Sequence, residues 1–166
     1  PDLFALLNDN NYPKAGWVLH MLRGILGDET FFRGIRSYYV RFAGGNATTG
    51  DLRQAMEEVS GQELAWFFHQ WLERPGYPVL AVSHEWDGSA GEVVVTVRQE
   101  QDEAWPAFRL PLDLELVPRE GRAVRQDVEL TAREQAFRFP APGPLLRVVP
   151  DPDGWVLHGS LPSRAP

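Results

Sequence analysis

Apolar residues recur at helical spacing through the first 75 positions and at alternate positions thereafter, so the chain changes its pattern once along its length. Val18, Leu19, Leu22, Ile25 and Leu26 give one apolar face, which predicts a helix beginning just after Tyr12. Pro13 then takes the first helical position, where its missing N–H costs nothing, and Gly27 supplies the stop. Asp28 is expected to cap a second helix that carries Phe31, Phe32, Ile35, Tyr38, Tyr39 and Phe42 and ends at Gly44-Gly45. A third starts near Thr48-Thr49, with Asp51 placed to answer the cap, and runs through Leu52, Ala55, Met56 and Val59. For the fourth, Ser60-Gly61-Gln62-Glu63 reads as a capping box ahead of the stripe Leu64, Phe67, Phe68, Trp71 and Leu72.

Beyond Gly76 the reading is strands. Leu110, Leu112, Leu114 and Leu116 alternate with Arg109, Pro111, Asp113 and Glu115, the pattern of a strand buried on one face. Val93-Val95-Val97, Leu80-Val82, Val124-Val128-Leu130 and Phe137-Phe139 give four more, and Leu145–Val149 and Trp155–Leu157 complete about seven. Turns are expected at Asp87-Gly88, Glu120-Gly121 and Asp153-Gly154, and Pro162 to Pro166 read as a frayed tail. The fold class that follows is α+β in two domains. Residues 1–75 form an all-helical unit of about four helices, and residues 76–166 form a small antiparallel β-sandwich.

Composition sharpens the boundary. Three of the 14 prolines lie in the first 75 residues, and the two parts carry net charges of −2 and −5. A total of −7 argues against nucleic acid as a partner, which needs a clustered basic face. No apolar run approaches the ~20 residues of a membrane-spanning helix, so no membrane partner is expected. The absence of cysteine removes disulfides, thiolate catalysis and Cys-ligated zinc. The chain opens at Pro1 with nothing that resembles a targeting peptide, and a piece of a longer protein is expected.

Spacing alone assembles no active site. His20, His69, His84 and His158 include no pair three to five residues apart, the local spacing that zinc sites use. His84-Glu85 begins like H-E-x-x-H, but Gly88 stands at the last position and the segment reads as a strand. No G-x-S-x-G surrounds a serine, and Ser60 is explained as a cap. Glu57 and Glu58 are adjacent on a helix and diverge by about 100°, as a solvated face would. Lys14 is the only lysine beside 15 arginines.

The run Tyr12-Pro13-Lys14-Ala15-Gly16-Trp17-Val18-Leu19-His20-Met21-Leu22-Arg23 resembles the helix that follows the active site in gluzincin metallopeptidases, the zinc aminopeptidases of the aminopeptidase N and leukotriene A hydrolase family. The resemblance continues through Leu26-Gly27-Asp28-Glu29, Phe31-Phe32, Tyr38-Tyr39, Arg41-Phe42 and Ala47-Thr48-Thr49-Gly50-Asp51-Leu52. Ser60-Gly61-Gln62-Glu63-Leu64, Phe67-Phe68-His69-Gln70-Trp71-Leu72, Pro75-Gly76 and Pro78 follow in the family's order. Asp151-Pro152-Asp153-Gly154-Trp155-Val156-Leu157 is similar to the closing strand of the family's β-sandwich.

This resemblance implies that residues 1–75 end a thermolysin-like catalytic domain and that the sandwich braces it. It implies Zn in the full-length parent, held by H-E-x-x-H and a distant glutamate that this chain does not contain. The fragment is therefore expected to bind no metal and to be inactive alone, while its parent hydrolyses N-terminal residues from peptide substrates. The one catalytic residue carried over by position is Tyr12, which matches the tyrosine of the family's Y-x-K-G pattern, here with Ala15 ahead of Gly16. Its phenol would donate to the oxyanion of a tetrahedral intermediate. The alternative from a different class is a non-catalytic scaffold or protein-interaction module of the same fold.

Overall fold

Helix α1, Asn11–Leu26, buries Val18, Met21, Leu22 and Leu26, the i, i+3, i+4, i+8 face of its second half. The computed structural model describes residues 11–161, so Pro1 and the tail from Pro162 lie outside the described residues. Tyr12 stands within the first turn of α1 rather than ahead of it, and Pro13 lies in the same turn. Helix α2, Asp28–Phe42, follows after the single residue Gly27, and helix α3, Thr49–Ser60, buries Ala55 and Met56. α2 packs against both of its neighbours. Asp28 does not cap α2. Its carboxylate instead accepts two bonds from Arg23, both at 2.8 Å, and this ties the end of α1 to the start of α2.

The capping box also sits elsewhere. Thr48 Oγ1 accepts from Asp51 N at 3.3 Å and the Asp51 carboxylate accepts from Thr48 N at 2.7 Å, so the reciprocal pair opens α3. Ser60 is the last residue of α3. Gly61 takes a left-handed backbone, φ +69°, and returns its N–H to Glu57 O, while the Glu57 carboxylate accepts from Leu64 N at 2.8 Å. The fourth helix, α4, is only Ala65–Phe68 and widens into a π-helical turn over His69–Glu73. Leu64, Phe67, Phe68 and Trp71 are all buried there, as their spacing requires.

The strand unit holds β1 Val79–Asp87, β2 Glu92–Gln99, β3 Leu110–Pro118, β4 Val124–Leu130, β5 Glu134–Pro140, β6 Leu145–Pro150 and β7 Gly159–Ser160. One sheet has the order β5-β2-β1-β7 and the other β4-β3-β6. Leu80 and Val82, Val93, Val95 and Val97, and Leu110 through Leu116 at alternate positions form the core between them, with Phe108 and Leu130. Each fully buried Leu or Val contributes about 1.5–3 kcal/mol of transfer free energy.

Two expectations for this unit need correction. Trp155–Leu157 is not a strand: Asp151 gathers these residues into a loop, and the pairing segment comes two residues later as β7. That strand runs parallel to β1, whereas the other strand pairs are antiparallel. The chain divides into two compact units, the first ending at Pro75 and the second beginning at Gly76.

Candidate functional site

The first half of α1 is apolar on nearly every side, yet much of it faces solvent. Tyr12 is 72% exposed, Trp17 and Leu19 are each 37% exposed, and Pro13, Ala15 and Gly16 are exposed too. Pro13, Gly16, Trp17 and His20 line an open depression of about 400 Å³ one turn beyond Tyr12. The His20 ring meets the Trp17 indole edge to face, with centroids 5.5 Å apart. A helix apolar all round is normally covered all round. Here the second half of α1 is seated in its own unit and the first half, with Tyr12, is presented outward.

The end of α1 is held firmly. Besides its bonds to Asp28, the Arg23 guanidinium lies 5.3 Å from the centre of the Phe32 ring. Its hydrogen bonds to Asp28 raise the Arg23 pKa and lower that of Asp28. The helix that carries Tyr12 is thus anchored at its far end by packing and by this ion pair.

The four histidines are dispersed. His20 is on α1. His69 lies on the π-helical turn, where Arg74 Nε donates to its Nε2 at 3.1 Å and its Nδ1–H donates to Glu73 at 2.7 Å. His84 on β1 approaches the Leu145 carbonyl, Nε2 to O 3.4 Å. His158 lies 3.6 Å from the Asp151 carboxylate, a pairing that spacing did not single out. Among the described residues no three His, Cys, Asp or Glu gather closely enough to hold a metal ion. Glu58 is exposed, as a solvated face requires, and pairs with Arg41 and Gln54, whereas Glu57 is half-buried and caps the turn into α4.

Two family models match the chain in tandem. The Peptidase family M1 domain covers residues 2–71, and a domain of unknown function described as an Ig-like fold covers residues 76–146. Aminopeptidase N of Lactococcus lactis subsp. lactis is 41% identical over 83 residues, 49% of this chain and 10% of that protein. Aminopeptidase N of Escherichia coli K12 is 28% identical over 158 residues, 84% of this chain and 18% of that protein. Among solved structures, Legionella pneumophila aminopeptidase A in complex with aspartic acid superposes with a TM-score of 0.76 at 18% identity, over 97% of this chain and 19% of that one. The chain thus spans only about a tenth to a fifth of the length of these relatives. The helical unit is thus similar to the Peptidase family M1 domain and the strand unit to the Ig-like domain, and together these matches support the M1 zinc-aminopeptidase family.

Proposed function

We propose that this chain is the C-terminal part of a zinc-dependent aminopeptidase, and that its contribution to catalysis is the hydroxyl of Tyr12. The observation that carries the reading is the outward presentation of Tyr12 on a helix whose first half is apolar and uncovered. Such a face suits burial against further polypeptide, and it would set the phenol at the boundary between the two.

The described residues gather no cluster that fits a zinc ion, and the metal chemistry would belong to residues outside them. What Tyr12 would do is separate from the metal. Peptide hydrolysis passes through a tetrahedral species whose former carbonyl oxygen gains negative charge. A phenolic O–H donated to that oxygen stabilises the transition state more than the ground state. The rigid seat of α1 would fix the donor before the substrate arrives, which avoids reorganisation as charge develops.

The test compares the 166-residue chain with the full-length protein that contains it, using an aminoacyl-anilide as substrate. The isolated chain is expected to give no hydrolysis with or without added zinc, and the full-length protein zinc-dependent release of the N-terminal residue. Zinc-dependent turnover by the isolated chain, or none by the full-length protein, would overturn the reading and favour a non-catalytic scaffold.

A further inference from the structure

The segment after β6 closes on itself through one buried side chain. Asp151 takes a positive φ of 48°, which a non-glycine residue seldom adopts without compensation. Its N–H donates to Asp113 O at 2.8 Å, and its carboxylate accepts from Trp155 N and Val156 N, each at 2.8 Å. The same carboxylate faces His158 Nε2 at 3.6 Å, with the two side chains only 3% and 12% exposed. The other ring nitrogen, Nδ1, lies 3.1 Å from Gly159 O and 3.1 Å from Ser160 Oγ.

These neighbours bear on which form of the ring fits. The Asp151 carboxylate and the Gly159 carbonyl can only accept, and the imidazolium, with a proton on each nitrogen, serves both. A neutral ring with its proton on Nε2 can still accept from the Ser160 hydroxyl at Nδ1, but it gives up the charge that attracts the buried Asp151 carboxylate.

The position of the pair gives that proton a mechanical consequence. Asp151 directly follows β6 and His158 directly precedes β7. The short last strand is otherwise held on β1 by Gly159 N to Pro78 O and Leu161 N to Leu80 O, both 2.9 Å, and by packing of Gly159 on Val79 and Tyr77. We infer that Asp151 and His158 form a proton-operated latch, which keeps β7 on the edge of β1 while the imidazole is charged and releases it when the imidazole becomes neutral.

Further charged groups stand on the neighbouring elements. From β3 come Asp113 and Glu115, from β4 Asp127 and Arg125, and from the loop itself Asp153, which Arg125 clamps with two bonds. Apart from Arg125 these groups are acidic. The Asp151 carboxylate lifts His158 above its ordinary 6.5, with support from the Gly159 carbonyl and against the opposing effect of burial. Burial pushes Asp151 up, but His158 and the two loop amides outweigh it and hold the carboxyl below its ordinary value. With His158 raised, the latch is fully engaged below the unfolded imidazole value and is lost as pH rises through the folded one. Release opens two carbonyls on the β1 edge, where an unpaired strand becomes available for new pairing.

Amide hydrogen exchange on the whole chain tests this, with protection factors corrected for intrinsic rates. Between about pH 6 and about pH 9, protection at Gly159 and Leu161 is expected to fall at least ~10-fold, while Val95 in the core stays constant. In His158→Gln, Gly159 and Leu161 should be weakly protected at both ends of that range. Protection in the unmodified chain that does not change, a fall shared by Val95, or acid-range protection retained in His158→Gln would each overturn the latch. Should His158→Gln fail to fold, ring titration of His158 by NMR in the unmodified chain decides. A midpoint above 6.5 that moves together with the Gly159 amide supports the latch, and one at or below 6.5, or one the Gly159 amide does not follow, overturns it.

Discussion

The indole of Trp105 lies against the α-carbon of Gly76 and fills the space a β-carbon would take. Gly76 also has a φ of +87°, so a side chain there meets both an unfavourable backbone and an aromatic ring. Gly76→Ala is expected to cost about 2–4 kcal/mol, from the left-handed backbone and from overpacking together. Urea unfolding measures this. In a Trp105→Ala background the added cost should shrink by at least ~1 kcal/mol, because the ring is then absent.

Gln99 is 2% exposed and makes four hydrogen bonds. Its amide donates to Phe108 O at 2.8 Å and Ala132 O at 3.1 Å, and its carbonyl accepts from Phe108 N at 2.8 Å and Gln101 Nε2 at 3.0 Å. Gln99→Leu keeps the volume but orphans several buried backbone groups. Each orphan costs about 1–3 kcal/mol, so a loss of about 3 kcal/mol or more is expected in denaturant unfolding.

Asp113 on β3 stands directly opposite Asp127 on β4. Burial, and the hydrogen bond that the protonated Asp113 carboxyl donates to Asp127, raise Asp113 above its ordinary 3.8. A raised carboxyl binds its proton more tightly when folded. Its favourable contribution is therefore present below the unfolded value and is lost as pH rises, leaving facing like charges at neutral pH. Asp127→Asn should raise the urea midpoint at about pH 7, with the gain shrinking toward about pH 3.

The two Thr/Ser-x-x-acid runs offer a direct contrast. Thr48→Ala removes a formed capping box and should cost about 1 kcal/mol in thermal or urea unfolding. Glu63→Ala removes the second half of a box that does not form and should stay within about 0.5 kcal/mol.

Much of this architecture is readable from the chain. The alternation from Leu110 to Leu116 became β3 with its leucines buried, and Leu64, Phe67, Phe68 and Trp71 became core. Sequence reading failed where two local devices competed for the same residues. Ser60 could open α4 or end α3, and the left-handed Gly61 together with the reach of Glu57 to Leu64 decided for the latter. Trp155–Leu157 has the apolarity of a strand, but the Asp151 carboxylate holds its amides in a loop and pairing moves to Gly159. The pattern of the opening residues located α1, whereas Tyr12 was singled out only through family resemblance, since one phenol has no spacing signature. The Asp151–His158 pair escaped notice because its members, seven residues apart, meet only after the loop has closed.

The central claim is that the Tyr12 hydroxyl donates to the oxyanion of peptide hydrolysis. Replacing Tyr12 with Phe in the full-length protein removes one oxygen and leaves the ring. The direct measurement is kcat/KM for an aminoacyl-anilide, with zinc content and melting temperature matched to the unmodified protein. A fall of about 100- to 1,000-fold, carried mainly by kcat, is the expected result. Turnover within a few-fold of the unmodified protein would contradict the account.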